Sequence, residues 1–373
     1  MNNFLIKNKI FAAGVSLIII FTCLEVLSIV LFSILDKDIK AFQYYPGRYQ
    51  KSEELGYELT PYWELNHDTL YEKFNSHGFR SPEVEKVKPE NHFRIIITGS
   101  SIVYGRTSNK HTISSMLEKK LNEIYGEKIT VEVINAGVPG YNSFHILRQF
   151  DDKLKSFSPD LIINYQFFTD LSIIEYGNNV AASGKFHNPS DSRFRKNLLK
   201  NIIDQSYFLT MLKIASRKSS LHQKTNHSKS DARSFSDNEI EINKINQQFE
   251  IEEKLTFIRN NVYKLINKCE KNNIDIMLCI PISLYKMSNT PIEIAMIDNY
   301  ESKDEILKAI GIANEMIKEA STNAHNAYYC DISKNIKIES SLFDDKYHTL
   351  EKGNDIVSEE LKKFIVSNKF ILK

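Results

Sequence analysis

The stretch Phe93-Arg-Ile-Ile-Ile-Thr-Gly-Ser-Ser-Ile-Val-Tyr-Gly105 decides how this chain is read. Arg94 to Thr98 is a β-branched run of the kind that forms a strand buried on both faces, and Gly99 closes it with a small-residue turn. That turn would present Ser101 at the carboxyl edge of a sheet, where a serine is a candidate nucleophile. An alcohol attacks poorly at neutral pH, so it needs an imidazole to take its proton and a carboxylate to fix that imidazole's tautomer. Asp345-Lys-Tyr-His348, near the C-terminus, offers both groups three residues apart. The two segments together point to acyl transfer through a Ser/His/Asp triad.

Outward from Phe93 the pattern alternates strand and helix. Ile113 to Tyr125 has helical spacing (Met116, Leu117, Leu121, Ile124), Ile129 to Ile134 alternates like a second strand, and Phe144 to Phe157 is amphipathic. Asp160 to Tyr165 is a third strand, introduced by Ser158-Pro159. The rhythm resumes with a helix over 249–272, a strand over 274–280 closed by Pro281, a helix over 303–320, a strand over 327–332 and a last helix over 354–366. Short apolar strands alternating with helices predict an α/β fold, a parallel sheet covered by helices. Ligands of such open sheets bind at the carboxyl ends of the strands, so Ser101 and the loops after the second and third strands belong on one rim.

Between these halves, residues 178–238 break the alternation. An amphipathic helix is expected around Leu198 to Ile214, and the Ser-, Lys-, His- and Asn-rich run from Ser216 to Asp237 has little to bury, so a mobile surface insertion is expected. Its His222 and His227 read as solvated loop residues rather than a metal pair, because no Cys or carboxylate cluster converges on them. His111 and His145 are not placed on the strand-end rim. The four cysteines form no framework: Cys23 lies in an apolar N-terminal run, while Cys269, Cys279 and Cys330 sit in helix and core-strand patterns. A disulfide among them remains open, and no metal-ligand spacing or Gly-x-Gly-x-x-Gly fingerprint is present.

The chain has 373 residues, 42% of them hydrophobic and 25% charged, with a formal net charge of +1. Basic residues are interspersed with acidic ones, which gives no electrostatic case for a nucleic-acid partner. Ile10 to Leu35 is almost uninterruptedly apolar, with Glu25 its one charge. A spanning helix needs about 20 apolar residues and a cleavable signal only roughly 7–15, so an uncleaved membrane anchor is expected, with a buried core helix or a long signal peptide as alternatives. Lys7 and Lys9 precede the segment, and Asp36, Lys37, Asp38 and Lys40 follow it in balance, which places residues 1–9 in the cytoplasm and the rest outside. Residues 36–90 are a lead-in rich in Tyr, Pro, Glu and Asn, expected to pack on the edge of the main domain; its Trp63 and tyrosines fit that packing better than a carbohydrate-stacking face.

Four blocks resemble the SGNH/GDSL hydrolase family, over roughly residues 75–366. Gly99-Ser-Ser-Ile-Val-Tyr-Gly105 is similar to the family's nucleophile block, with Ser101 as nucleophile and Ser100 in place of the usual aspartate. Asn135-Ala-Gly-Val-Pro-Gly140 is similar to the glycine block, and the resemblance implies the Gly137 amide as an oxyanion donor. In the third block, Phe167-Phe-Thr-Asp170, Phe167 replaces the family's glycine and Thr169 the asparagine whose amide enters the oxyanion hole. Asp345-Lys-Tyr-His348-Thr-Leu-Glu-Lys-Gly-Asn354 resembles the terminal block, implying His348 as general base and Asp345 as its orienting partner. Asn75-Ser-His-Gly-Phe-Arg80 resembles the lead-in of membrane-anchored members.

The resemblance implies a three-layer, flavodoxin-like SGNH domain over 91–373, carrying the insertion near 178–238 and preceded by a transmembrane helix over 10–35. The expected activity is a serine esterase or O-acyltransferase acting on ester groups, O-acetyl groups of envelope or exported polysaccharide above all. Ser101, His348 and Asp345 would be catalytic, and Ser101, Gly137 and Thr169 would line the oxyanion hole. The expected partners are an ester-bearing small molecule or polysaccharide and the lipid bilayer, on the extracytoplasmic side, with no metal or organic cofactor. The alternative is an inactive member that binds glycan or scaffolds an envelope assembly, which the changes at Phe167 and Thr169 favour.

Overall fold

A computed structural model of the chain describes residues 12–27, 48–66, 70–171, 208, 237–297 and 303–372. The strands are β1 (Tyr49–Ser52), β2 (Gly56–Leu59), β3 (Glu64–Asn66), β4 (Tyr71–Lys73), β5 (His92–Thr98), β6 (Thr130–Asn135), β7 (Leu161–Tyr165), β8 (Asp275–Cys279) and β9 (Ala327–Tyr329). The helices are α1 over 12–27, α2 (Ser101–Tyr104), α3 (Ile113–Tyr125), α4 (Ser143–Asp152), α5 (Asp237–Lys271), α6 (Pro291–Met296), α7 (Lys303–Thr322) and α8 (Glu351–Ser367).

Five strands form one parallel sheet in the order β6-β5-β7-β8-β9. Ile95 pairs in register with Val133 on one side, and Ile96 with Ile162 on the other. The strands are apolar because both faces are covered: Ile95, Ile96, Ile97, Leu161, Ile162, Ile163, Ile276 and Met277 are fully buried. Chain order reverses at β5, which sends β6 to one side and β7 to the other. Right-handed crossovers then put the helix between β5 and β6 on the opposite face from those that follow. Ion pairs mark the two helical layers. Lys120 of α3 reaches Asp355 and Glu359 of α8, whereas α5 joins α4 through Lys268–Asp151 and α7 through Arg259–Glu319.

Most boundaries lie within a few residues of the expected ones. The helix expected over 144–157 ends at Asp152 and continues as a 3-10 turn, Leu154–Phe157; the strand expected over 327–332 ends at Tyr329. The lead-in forms two small sheets, β1-β2 and β3-β4, and buries Leu55, Leu59, Phe74 and Phe79. Trp63 packs on Phe74 at 5.1 Å between ring centroids, a core contact of the lead-in.

The chain divides into two compact units, 1–49 with 189–237, and 50–188 with 238–373. In the first, α1 exposes Leu17, Ile18, Ile19 and Ile20, and Glu25 accepts the amide of Phe208 at 3.1 Å. Among the described residues no helix is long and apolar enough to cross a membrane. The expected anchor extends beyond both ends of α1, and residues 10, 11 and 28–35 lie outside the described residues. So do almost all of the expected insertion, its helix around 198–214 apart from Phe208, and His222 and His227.

Candidate active site

The switch point of strand order lies between β5 and β7, where the carboxyl ends of adjacent strands part and leave a crevice. Ser101 opens α2 immediately beyond β5. Gly99 makes this turn possible: a Cβ there would lie 2.4 Å from Val103 Cγ2 and 2.6 Å from the Tyr165 carbonyl oxygen, so a side chain would force the nucleophile turn away from β7. α2 is a single turn, closed by the Tyr104 amide donating to Ser100 O and the Gly105 amide to Ser101 O, each at 3.0 Å. The Ser101 amide, at the head of the turn, has no intrahelical acceptor.

The opposing groups come from the loop before α8. Asp345 Oδ1 accepts the amides of Tyr347 at 3.0 Å and His348 at 2.9 Å, a local turn that fixes the carboxylate against its own loop. Asp345 Oδ2 lies 2.7 Å from His348 Nδ1, and His348 Nε2 lies 2.7 Å from Ser101 Oγ. With Nδ1–H directed at the carboxylate, Nε2 presents its lone pair to the serine hydroxyl, the tautomer that proton abstraction requires.

Burial pushes His348 below the usual imidazole range; the hydrogen bond and charge of Asp345 oppose this, and Arg106 reinforces it. For Asp345, burial raises the proton affinity, but the His348 contact, the Arg106 guanidinium and the Tyr347 amide outweigh it and hold the acid well below the usual carboxylate range. At neutral pH the pair is therefore a neutral imidazole on an ionised carboxylate.

The structure thus brings Ser101, His348 and Asp345 into one chain of contacts. The Gly137 amide donates to Asn135 Oδ1 at 3.0 Å, and a Cβ there would lie 2.4 Å from the Tyr104 nitrogen, so Gly137 is a seat for α2. Gly140 of the same loop is exposed and holds φ 86. Thr169 is half-buried within a helical turn that opens at Phe168. Its neighbours are fixed: Phe168 stacks on Tyr347 at 5.3 Å, and Asp170 accepts the Ser143 hydroxyl at 2.6 Å and the Gln166 amide at 2.8 Å. The two nearby asparagines have other duties. Asn142 caps α4 by accepting the His145 amide at 3.1 Å, and Asn164 Oδ1 faces Thr98 Oγ1 at 3.3 Å.

Sequence reasoning missed the groups that brace the site. Arg80, fully buried, donates from Nη1 to the carbonyls of Tyr104 at 2.8 Å and Gly105 at 2.9 Å, and from Nη2 to that of Thr107. Arg106 contacts both Asp344 and Asp345. Asn354 Nδ2 donates to His111 O at 2.8 Å and Thr107 Oγ1 at 3.2 Å, tying α8 to the segment after the nucleophile. The Asn75-to-Arg80 motif was the available signal for Arg80, whereas nothing local in the sequence marks a partner 238 residues from Arg106. His145 stacks on Tyr141, and His111 pairs with Glu351 at 3.0 Å. Among the described residues no cluster of His, Cys, Asp or Glu is arranged to hold a metal ion, and Cys269, Cys279 and Cys330 are buried free thiols.

No family model matches the chain, and no curated protein matches it. Solved structures do. A lipase/acylhydrolase from Enterococcus faecalis is 12% identical, with 74% of this chain and 96% of that one covered at a TM-score of 0.42. An acetyl xylan esterase is 14% identical, with 73% and 100% covered and a TM-score of 0.41. A GDSL-like lipase from Bacteroides thetaiotaomicron is 11% identical, with 74% and 88% covered and a TM-score of 0.37. At such identities and scores the roles of individual residues rest on the geometry of this chain.

Proposed function

We propose that the chain is a serine esterase or O-acyltransferase. The observation that carries this reading is the unbroken contact from Ser101 Oγ through His348 to Asp345, with 2.7 Å at each step. Ser101 attacks an ester carbonyl as His348 Nε2 takes its proton; the imidazolium, held by Asp345, then protonates the departing alkoxide. The acyl group rests on Ser101 until water or a sugar hydroxyl removes it, His348 now deprotonating that acceptor. The Ser101 amide, which has no acceptor within its own turn, is the oxyanion donor we assign, and the sequence resemblance adds Gly137 and Thr169.

The substrate we propose is an O-acetyl group on envelope or exported polysaccharide, a reading supported by the sequence resemblance of the lead-in. Anchoring through residues 10–35 is supported by the apolar surface of α1, where Leu17 and Ile18 are 67% and 68% exposed, and the placing of the catalytic unit outside the cytoplasm by Lys7 and Lys9 ahead of the segment. An active cytoplasmic reporter fused after residue 40 refutes that orientation.

A second reading, an inactive glycan-binding or scaffolding protein, is favoured by Thr169 and by the engaged Gly137 amide. A fluorophosphonate probe separates the two. The enzyme reading requires labelling of the wild-type chain and none of Ser101→Ala; an unlabelled but folded wild type supports the second.

A further inference from the structure

We propose that Arg106 is a positioning residue of the triad, locking the Asp345 carboxylate and limiting the negative charge that His348 feels. The proposal rests on the acyl-transfer reading of this site. Arg106 Nη1 lies 2.9 Å from Asp345 Oδ2 and 2.7 Å from Asp344 Oδ2. Asp345 Oδ2 is also the oxygen facing His348 Nδ1, and Oδ1 takes two backbone amides. The carboxylate is thus held by three hydrogen bonds and by the ion pair with Arg106, which together oppose its turning away from the imidazole.

The guanidinium acts across the two halves of the triad. Arg106 follows Gly105 on the loop leaving the nucleophile turn, and that loop is itself held by Arg80 through the carbonyls of Tyr104, Gly105 and Thr107. One side chain therefore joins the segment carrying Ser101 to the segment carrying His348, 238 residues apart at the Arg106–Asp344 contact.

It also sets the local charge. The charged groups acting on His348 are Asp345 and Asp344 from its own loop and Arg106 from the nucleophile segment. Both carboxylates favour the imidazolium. Arg106, lying between them, offsets part of that pull, so that the base stays neutral and able to accept the serine proton. Removing the guanidinium leaves two carboxylates acting on one imidazole, and His348 then holds a proton at pH values where the native site does not.

The test follows inactivation of the full chain by a fluorophosphonate between pH 5 and pH 9, which needs no knowledge of the substrate. For Arg106→Gln the acid limb of the rate profile moves up by about half to one pH unit, so labelling falls up to about 3- to 10-fold at pH values below the native limb and stays near its native rate at pH 8. Arg106→Lys, which keeps the charge, holds the limb near its native position, and Asp344→Asn moves it down. A lost brace alone would lower the rate equally at every pH. That result, or a native limb in Arg106→Gln, overturns the proposal. Should Arg106→Gln fail to fold, Asp344→Asn decides, since an unmoved limb there also overturns it. An unlabelled wild type refutes the acyl-transfer reading instead, so the two failures are distinct.

Discussion

Arg80 offers the sharpest test of how the nucleophile turn is held. Its guanidinium is completely buried and lies 3.7 Å from Glu72, whose other oxygen accepts the Tyr104 hydroxyl at 2.7 Å. It sits over the Tyr104 ring at 4.7 Å and donates to Asn109 Oδ1 at 2.9 Å as well as to three backbone carbonyls. Arg80→Met keeps much of the aliphatic stem but removes the ion pair with Glu72 and the guanidinium donors to three carbonyls. Breaking a buried pair from one side costs about 3–5 kcal/mol. For a domain of this size that corresponds to roughly 6–20 °C in melting temperature. Pairing the change with Glu72→Gln removes the partner charge as well and should recover about 1–3 kcal/mol, a coupling readable from a double-mutant cycle in urea. Because the carbonyls of Tyr104 and Gly105 end the turn that Ser101 begins, fluorophosphonate labelling should fall even where the variant remains folded. A melting temperature within about 2 °C of wild type, or strictly additive single and double variants, would refute the idea that this ion pair holds the turn.

Two further outcomes follow from the site and its surroundings. Thr169→Asn should raise hydrolysis of a small acetyl ester, by at most about 10²-fold, since one oxyanion donor is worth about 10²–10³ in turnover; an unchanged or lower rate means that the hole is completed by other groups. Burial lowers His145 to about 4, and the unfolded chain has an ordinary imidazole near 6.5. The unfolded state then binds a proton that the folded state refuses, so stability present above about pH 6.5 is lost as pH falls towards 4, on the order of 3 kcal/mol in all. Urea midpoints of His145→Gln should therefore fall less steeply across that window than those of wild type; parallel slopes would contradict it.

The fold was legible because its strands are buried on both faces. Ile95 to Ile97 and Leu161 to Ile163 have no solvated face to encode, so each reads as an unbroken apolar run, and the helices between them carry the complementary stripe. Ser101, Asp345 and His348 were legible for a different reason: each is set by a local turn, Gly99 on one side and the Asp345 Oδ1 turn on the other, and local turns leave short motifs. What escaped was long-range or conformational. Gly137 and Gly140 share one short motif, yet only the packing of α2 on Gly137 and the bond from its amide to Asn135 reveal which amide is engaged. Arg106 and Asn354 act on partners more than 200 residues away, and no periodicity predicts such pairs. The lead-in sheets were missed because β3 and β4 span three residues each, too short for alternation to register.

These long-range contacts share a physical logic. In an open parallel sheet the strand ends at a switch point are anchored by the sheet, but the loops beyond them are not, and the triad we propose, assembled from two loops, must hold its geometry to fractions of an ångström. The chain meets this need with side chains that cross from the nucleophile segment to the terminal loop: Arg106 onto Asp344 and Asp345, Asn354 onto the carbonyl of His111. From the third loop, Phe168 stacks on Tyr347 beside His348, so the segment carrying Thr169 is braced against the base as well. Each crossing joins a different pair of points, and each is at least partly buried, which shields it from the screening that weakens exposed pairs. Thr169 itself is half-buried between two fixed neighbours, Phe168 on Tyr347 and Asp170 on Ser143.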